Sequence, residues 1–287
     1  MTAAVSVAGL TKAYRGVEAV RGIDFEILVG EVFGLLGPNG AGKTTTVEIL
    51  EGYRKPDGGE VRVLGEDPER TGTEWRQRIG VVLQSSAVYP TLSVREMLAL
   101  FAGYYSKPLP VDDVVELIGL VEKRDARVKS LSGGQARRLD LGLALVGDPE
   151  LVFLDEPTTG FDPGARRAAW ETIRSLRSLG KTILLTTHYL EEAEHLSDRV
   201  AVLREGRIVA AGRPAELMGR SREAEIRYLR DGEEVVVRTD EPTRVLHELT
   251  EAAVREGVEL EGLEVRRPTL EDVYLSLTER EDESLPA

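Results

Sequence analysis

The chain has 287 residues, 41% hydrophobic and 30% charged, enough for one sizeable α/β domain and a small appendage. Zero cysteines exclude disulfides and thiolate metal sites, so Mg²⁺ held by oxygens is the metal to expect. The formal charge of −13 argues against a nucleic-acid binder, which needs a basic face for phosphates; from Arg213 onward 11 basic residues face 20 acidic ones.

In chain order, Val5 and Val7, then Val20, Ile23, Phe25 and Ile27, alternate as strands of a β-rich flank. The apolar run Val32-Phe33-Gly34-Leu35-Leu36 leads into Gly37-Pro38-Asn39-Gly40-Ala41-Gly42-Lys43-Thr44, and a helix-compatible stretch starts at Thr45. Strand, G-x-x-x-x-G-K-[ST], helix is the setting of a phosphate-binding loop. Its glycines turn backbone N–H groups toward α/β-phosphates, Lys43 reaches the β/γ-phosphates, and the Thr44 hydroxyl is placed to ligate Mg²⁺.

A strand is expected at 60–64, after the turn Asp57-Gly58-Gly59, and another at 79–83, ending at Gln84. Ser93-x-x-Glu96 is a capping box that opens a helix over 93–105, and 111–120 and 133–146 read as further helices, so about 88–147 forms a helical insertion. Leu131-Ser132-Gly133-Gly134-Gln135 stands at the head of the last, where hydroxyl and N–H groups make a second anion site. Arg137 and Arg138 follow and read as exposed helix residues. The strand 151–154 ends on Asp155 and Glu156; a helix over 163–179, a strand over 182–186 ahead of His188, a helix over 189–196 and a hairpin over 199–210 complete the alternation. That order predicts a parallel sheet with phosphates at its carboxyl edge.

The composition shifts near 219–222, dividing the chain into 1–219 and 220–287. The second part carries a hairpin at Asp231-Gly232, a helix over 243–256 ended by Gly257, a strand over 260–265 and Thr269-x-x-Asp272 capping a last helix, a small α+β module. No apolar run reaches the ~18 residues needed to cross a bilayer, and residues 1–9 do not form a secretory signal.

Phosphate loop, Gln84, Leu131–Gln135, the strand-Asp-Glu and His188, in that order, resemble the ATP-binding cassette (ABC) ATPases over residues 5–212. The ending Arg267-Pro268-Thr269-Leu270-Glu271-Asp272-Val273-Tyr274 is similar to that of ATPase subunits of daunorubicin-resistance-type drug exporters. The resemblance implies an α/β P-loop NTPase core of RecA-like type, with β-rich flank, helical insertion and C-terminal α+β module. It implies ATP held by Tyr14, on which adenine stacks, by Gly37, Pro38, Asn39, Gly40, Ala41, Gly42, Lys43, Thr44 and Thr45, and Mg²⁺ held by Thr44, Gln84 and Asp155. Glu156 then polarises the attacking water with Gln84 nearby, and His188 senses the γ-phosphate. Ser132, Gly133, Gly134 and Gln135 would close on ATP bound by a second copy, with Asp162 crossing the seam, so the chain is expected as a homodimer with two ATP molecules at its interface. Phe161 departs from the leucine more usual in the family. Taken alone, Gln84 and His188 are ordinary strand-end residues, and core packing is the rival reading for Tyr14. The expected function is an ATP-hydrolysing subunit on the cytoplasmic face of the membrane that drives efflux of a small hydrophobic compound or drug through separate transmembrane permease subunits. An importer ATPase, or a soluble ABC ATPase acting on nucleic acid or ribosomes, are the alternatives.

Overall fold

Strands β1 (Ala3–Tyr14) and β2 (Val17–Leu28) pair antiparallel, with Tyr14 opposite Val17 across Arg15 and Gly16, both at positive φ. Such a two-residue turn matches the natural twist of its strands. Beyond it come β3 (Val32–Leu36), α1 (Lys43–Leu50) and β4 (Gly58–Val63), and β4 pairs antiparallel with β1 to complete a three-stranded sheet, β2-β1-β4. The computed structural model describes residues 2–82, 89–219, 224–230, 232–266 and 269–274, so Gln84 lies outside the described residues.

The short α2 (Thr73–Arg76) and β5 (Ile79–Val82) lead into three helices, α3 (Val94–Ala102), α4 (Val111–Leu117) and α5 (Gly133–Leu145). Strand β6 (Leu151–Asp155), α6 (Pro163–Ser178), β7 (Thr182–Thr187), α7 (Leu190–Leu196), β8 (Arg199–Arg204) and β9 (Arg207–Gly212) follow. The six-stranded sheet has the order β5-β6-β7-β3-β8-β9, and the pairs β5–β6, β6–β7, β7–β3 and β3–β8 are parallel. Glu205 and Gly206, both at positive φ, turn β8 into β9.

Burial explains why these strands read as unbroken apolar runs. On β6, Leu151 and Phe153 join the core toward the antiparallel sheet, with Phe25, Phe33 and Leu184, while Val152 and Leu154 join a second core with Trp170, Ile173 and Leu185. A parallel strand covered on both faces has no polar side, and each buried side chain of this size stabilises by about 1.5–3 kcal/mol. A third cluster, built on Met97, Leu98, Val114, Ile118 and Leu139, holds α3, α4 and α5 together. Ser93 and Glu96 form the expected capping box, with reciprocal bonds of 3.2 and 2.7 Å. Helix α4 stops at Leu117, three residues short of the sequence expectation, where Gly119 takes φ 63°.

The chain divides into the units Met1–Ala211 and Gly212–Ala287. The second holds α8 (Pro214–Gly219), β10 (Ala224–Arg230), β11 (Glu233–Thr239), α9 (Pro242–Glu256) and β12 (Glu261–Arg266), its sheet ordered β11-β10-β12 with both pairings antiparallel. Gly257, at φ 69°, ends α9 in the left-handed conformation that glycine adopts without strain. Thr269 and Asp272 cap each other through bonds of 2.7 and 3.3 Å.

Candidate functional site

The loop between β3 and α1 is shaped first by what packs against it. A Cβ on Gly37 would come within 2.2 Å of the Leu203 carbonyl of β8, and one on Gly42 within 2.4 Å of the Ala19 carbonyl of β2. Gly42 also sits at φ 106°, so no other residue fits. Gly40, by contrast, faces open space. Helix α1 starts with no side-chain cap and no acid in its first turn, leaving its N–H groups and dipole directed at whatever the loop encloses. The buried Lys43 ammonium donates to the carbonyls of Gly37 (2.7 Å) and Pro38 (3.1 Å). Burial holds its pKa below the lysine range, while Glu156 and Asp155 pull the other way. Thr44 is exposed at the mouth of the loop. A buried cation, uncapped amides and an open glycine fit a polyphosphate.

The carboxylates stand at the carboxyl end of β6. Asp155 accepts a short hydrogen bond from the Thr186 hydroxyl of β7. The neighbouring Glu156 takes φ 46°, a left-handed backbone that a glutamate adopts only when its surroundings impose it. Its N–H donates to the carbonyl and hydroxyl of Thr186, both at 3.1 Å. One carboxylate oxygen lies 3.2 Å from His188 Nδ1, and the other accepts from the Thr159 hydroxyl at 3.1 Å. His188, which follows β7, packs on Tyr189 with ring centroids 4.1 Å apart. The structure therefore brings Glu156 and His188 into direct contact.

Ser132 caps α5. Its hydroxyl accepts from the Gln135 N–H at 3.3 Å while Gln135 Oε1 accepts from the Ser132 N–H at 3.0 Å. Serving as an acceptor, that hydroxyl keeps its own proton free to donate outward. Residues 132–138 share an open cleft with Glu156 and the loop Thr159–Asp162, and no residue of the phosphate loop lines it. Asp162 caps α6, accepting from the N–H groups of Gly164 and Ala165 at 2.9 Å. Phe161 is half-buried beside Val82, Leu141, Leu154 and Ile173 of its own chain. Tyr14 closes the β1–β2 turn with Arg54 and Lys12 over its ring, at 5.2 and 5.7 Å from the centroid.

Arg137 and Arg138 are not the exposed helix residues that the sequence suggests. Arg137 keeps only 13% of its side chain exposed and donates to the carbonyls of Asp155 (3.0 Å) and Pro157 (3.4 Å), and Arg138 donates to the Gly119 carbonyl at 3.0 Å. A charge run on a helix gives no sign of such partners, because they are carbonyls from distant segments. Glu51, Trp170 and Glu192 are likewise buried without any motif to mark them.

The sequence profile of the family described as ABC transporter matches residues 20–159, and that of an ABC transporter domain-containing protein-like C-terminal domain matches residues 214–269. The chain is 41% identical to the Nod factor export ATP-binding protein I of Paraburkholderia xenovorans (strain LB400), over 97% of this chain and 98% of that protein. It is 41% identical to the protein of the same name from Rhizobium meliloti (strain 1021), over 98% and 89%. Among solved structures, its fold is similar to the ATP-binding subunit of an ABC transporter, with a TM-score of 0.70 and 23% identity over 96% of this chain and 100% of the other. An ATP-binding cassette of an ABC transporter in its ADP conformation gives a TM-score of 0.67 at 25% identity, over 75% and 93%.

Proposed function

Because the chain belongs to the ATP-binding cassette family and is an ATP-binding, ATP-hydrolysing subunit of a transporter, we propose that it powers export, as a homodimer bound to separate membrane subunits at the cytoplasmic face. Relatives named for Nod factor export, matched over nearly their whole length, support the outward direction. No described helix is long and apolar enough to cross a membrane, which fits a permease encoded in another chain. The cargo class we assign is a small hydrophobic compound or drug, on the resemblance of the ending 267–274 to drug-exporter subunits. The second unit, 212–287, serves assembly or coupling in this reading.

In the proposed site, residues 37–45 cradle the phosphates, Tyr14 stacks on adenine, and His188 donates to the γ-phosphate. Glu156 orients the attacking water and takes its proton, a role open to a carboxylate one hydrogen bond away. Thr44, Asp155 and Gln84 would hold Mg²⁺. Hydroxyl, amide and carboxylate oxygens suit that ion, which supplies charge neutralisation at the β/γ-phosphates.

The observation that carries the homodimer is the cleft at Ser132. Its donors face a space that the phosphate loop of the same chain does not line, which supports the reading that the anion they bind is that of a second copy. Mixing Ser132→Arg chains with Lys43→Ala chains leaves one heterodimer site with both defects and the other with neither. ATPase activity should return on mixing. Two inactive, verifiably exchanging pools that never complement, with no crosslink from position 132 to the partner's phosphate loop, would refute shared sites. For the transport role, the chain purified from native membranes should carry a multi-span permease identifiable by mass spectrometry; recovery without any membrane protein would refute it.

A further inference from the structure

Glu192, on α7, is fully buried in the larger unit, with none of its surface exposed. Its Oε1 accepts from the Thr158 hydroxyl at 2.7 Å and from Trp170 Nε1 at 3.1 Å, while its Oε2 is buried with no hydrogen-bond partner. A carboxyl group is a costly fastener for a protein interior, because its burial loses hydration that two neutral donors on one oxygen do not replace. Fold stability alone gives no reason to place it there.

The location supplies one. Thr158 is two residues after Glu156, and α7 begins two residues after His188. Glu156 and His188 touch at 3.2 Å. The contacts therefore form a closed ring from Glu156 along the chain to Thr158, across to Glu192, back along α7 to His188, and across again to Glu156. Helix α6, which starts at the Asp162 cap, braces the ring at two positions one turn apart. Trp170 donates to Glu192 and stacks on His195 at 4.9 Å, and Arg166 lies over the Tyr189 ring at 4.6 Å. Arg137 donates to the carbonyls of Asp155 and Pro157, and Thr158 ties the carboxylate loop to α7.

We infer that Glu192 is a positioning residue for ATP hydrolysis: through Thr158 it locks the loop carrying Glu156 to the helix that follows His188, so that the two groups move as one body. The left-handed backbone at Glu156, held by Thr186, Thr159 and His188, is a strained conformation that persists only while its surroundings are fixed, and the Thr158 link adds to that restraint. The inference rests on the assignment of Glu156 and His188 to hydrolysis, and its test separates the two.

The full chain is assayed for steady-state ATP hydrolysis, with each variant's melting temperature measured in parallel. Thr158→Val removes one donor and keeps the bulk, so kcat should fall roughly tenfold, the scale of a small misplacement of reacting groups, with KM within about twofold of wild type. Glu192→Gln keeps an oxygen acceptor for both donors and should retain kcat within about threefold. Glu192→Ala should lose at least as much as Thr158→Val, and adding Thr158→Val to it should cost nothing further, since both break one link. If Glu192→Ala does not fold, the contrast between Thr158→Val and Glu192→Gln decides. Wild-type kcat in a folded Thr158→Val chain, or a loss expressed in KM, overturns the inference. Glu156→Gln is run alongside: near-normal hydrolysis there overturns the underlying assignment and this one with it, whereas lost hydrolysis there beside an unaffected Thr158→Val chain overturns the Glu192 link alone.

Discussion

Glu51 is expected to make the larger unit less stable as the pH rises, and Glu51→Gln should abolish that loss. The residue closes the C-terminal end of α1 and is 7% exposed. Burial, then repulsion by Asp155 and Glu48, pushes its carboxyl from 4.5 up to about 8. The negative end of the helix dipole acts in the same sense. The folded chain thus keeps this proton over a range in which the unfolded chain releases it. The stabilisation is complete below pH 4.5, declines as the pH rises, and is gone once the pH passes about 8. At about 1.4 kcal/mol per tenfold change in proton affinity, the ceiling is roughly 5 kcal/mol, and about 3–4 kcal/mol remains if the site relaxes. For a unit of this size that corresponds to roughly 10 °C in melting temperature. Calorimetry of the nucleotide-free chain from pH 5 to pH 9, wild type against Glu51→Gln, is the measurement. Glutamine mimics the protonated acid at every pH, so the two should melt within about 2 °C of each other at pH 5, and the variant about 10 °C higher at pH 9. Parallel curves across that range would refute the reasoning.

Lys43→Ala removes the ammonium bonded to the Gly37 and Pro38 carbonyls and should weaken ATP binding at least about tenfold; equal affinity in titration calorimetry would contradict it. Gly80→Ala would place a Cβ 2.4 Å from the Ala144 carbonyl, pushing β5 off α5, and should cost about 1–3 kcal/mol in urea denaturation; an unchanged midpoint would show that α5 is free to shift. Arg137→Met keeps the length of the side chain but leaves the Asp155 and Pro157 carbonyls without their donor, and should cost about 1–3 kcal/mol; stability equal to wild type would mean that water replaces the guanidinium.

Sequence by itself determined the elements whose chemistry is local. The phosphate loop is contiguous, because a turn of eight residues supplies both the amides and the lysine, and the Ser93 and Ser132 caps are contiguous, because a capping box closes within one helical turn. The alternation of strand and helix likewise gave the parallel sheet, since a strand buried on two faces leaves an unbroken apolar run. Tertiary structure decided what depends on partners distant in the chain. The order β5-β6-β7-β3-β8-β9 places β3 between strands that follow it by about 150 residues, a choice that no local pattern encodes. Glu156 takes its left-handed backbone because Thr186, His188 and Thr159 receive it there, and nothing in the run Leu151-Val152-Phe153-Leu154-Asp155-Glu156 requires it. Arg137 reads as a surface charge until the carbonyls of Asp155 and Pro157 are folded against it, and Glu192 reads as one acid among several on a polar helix until Thr158 and Trp170, from 34 and 22 residues away, enclose it. Whether a charged side chain meets water or a buried donor is fixed by packing between segments, and that contact exists only in the folded chain.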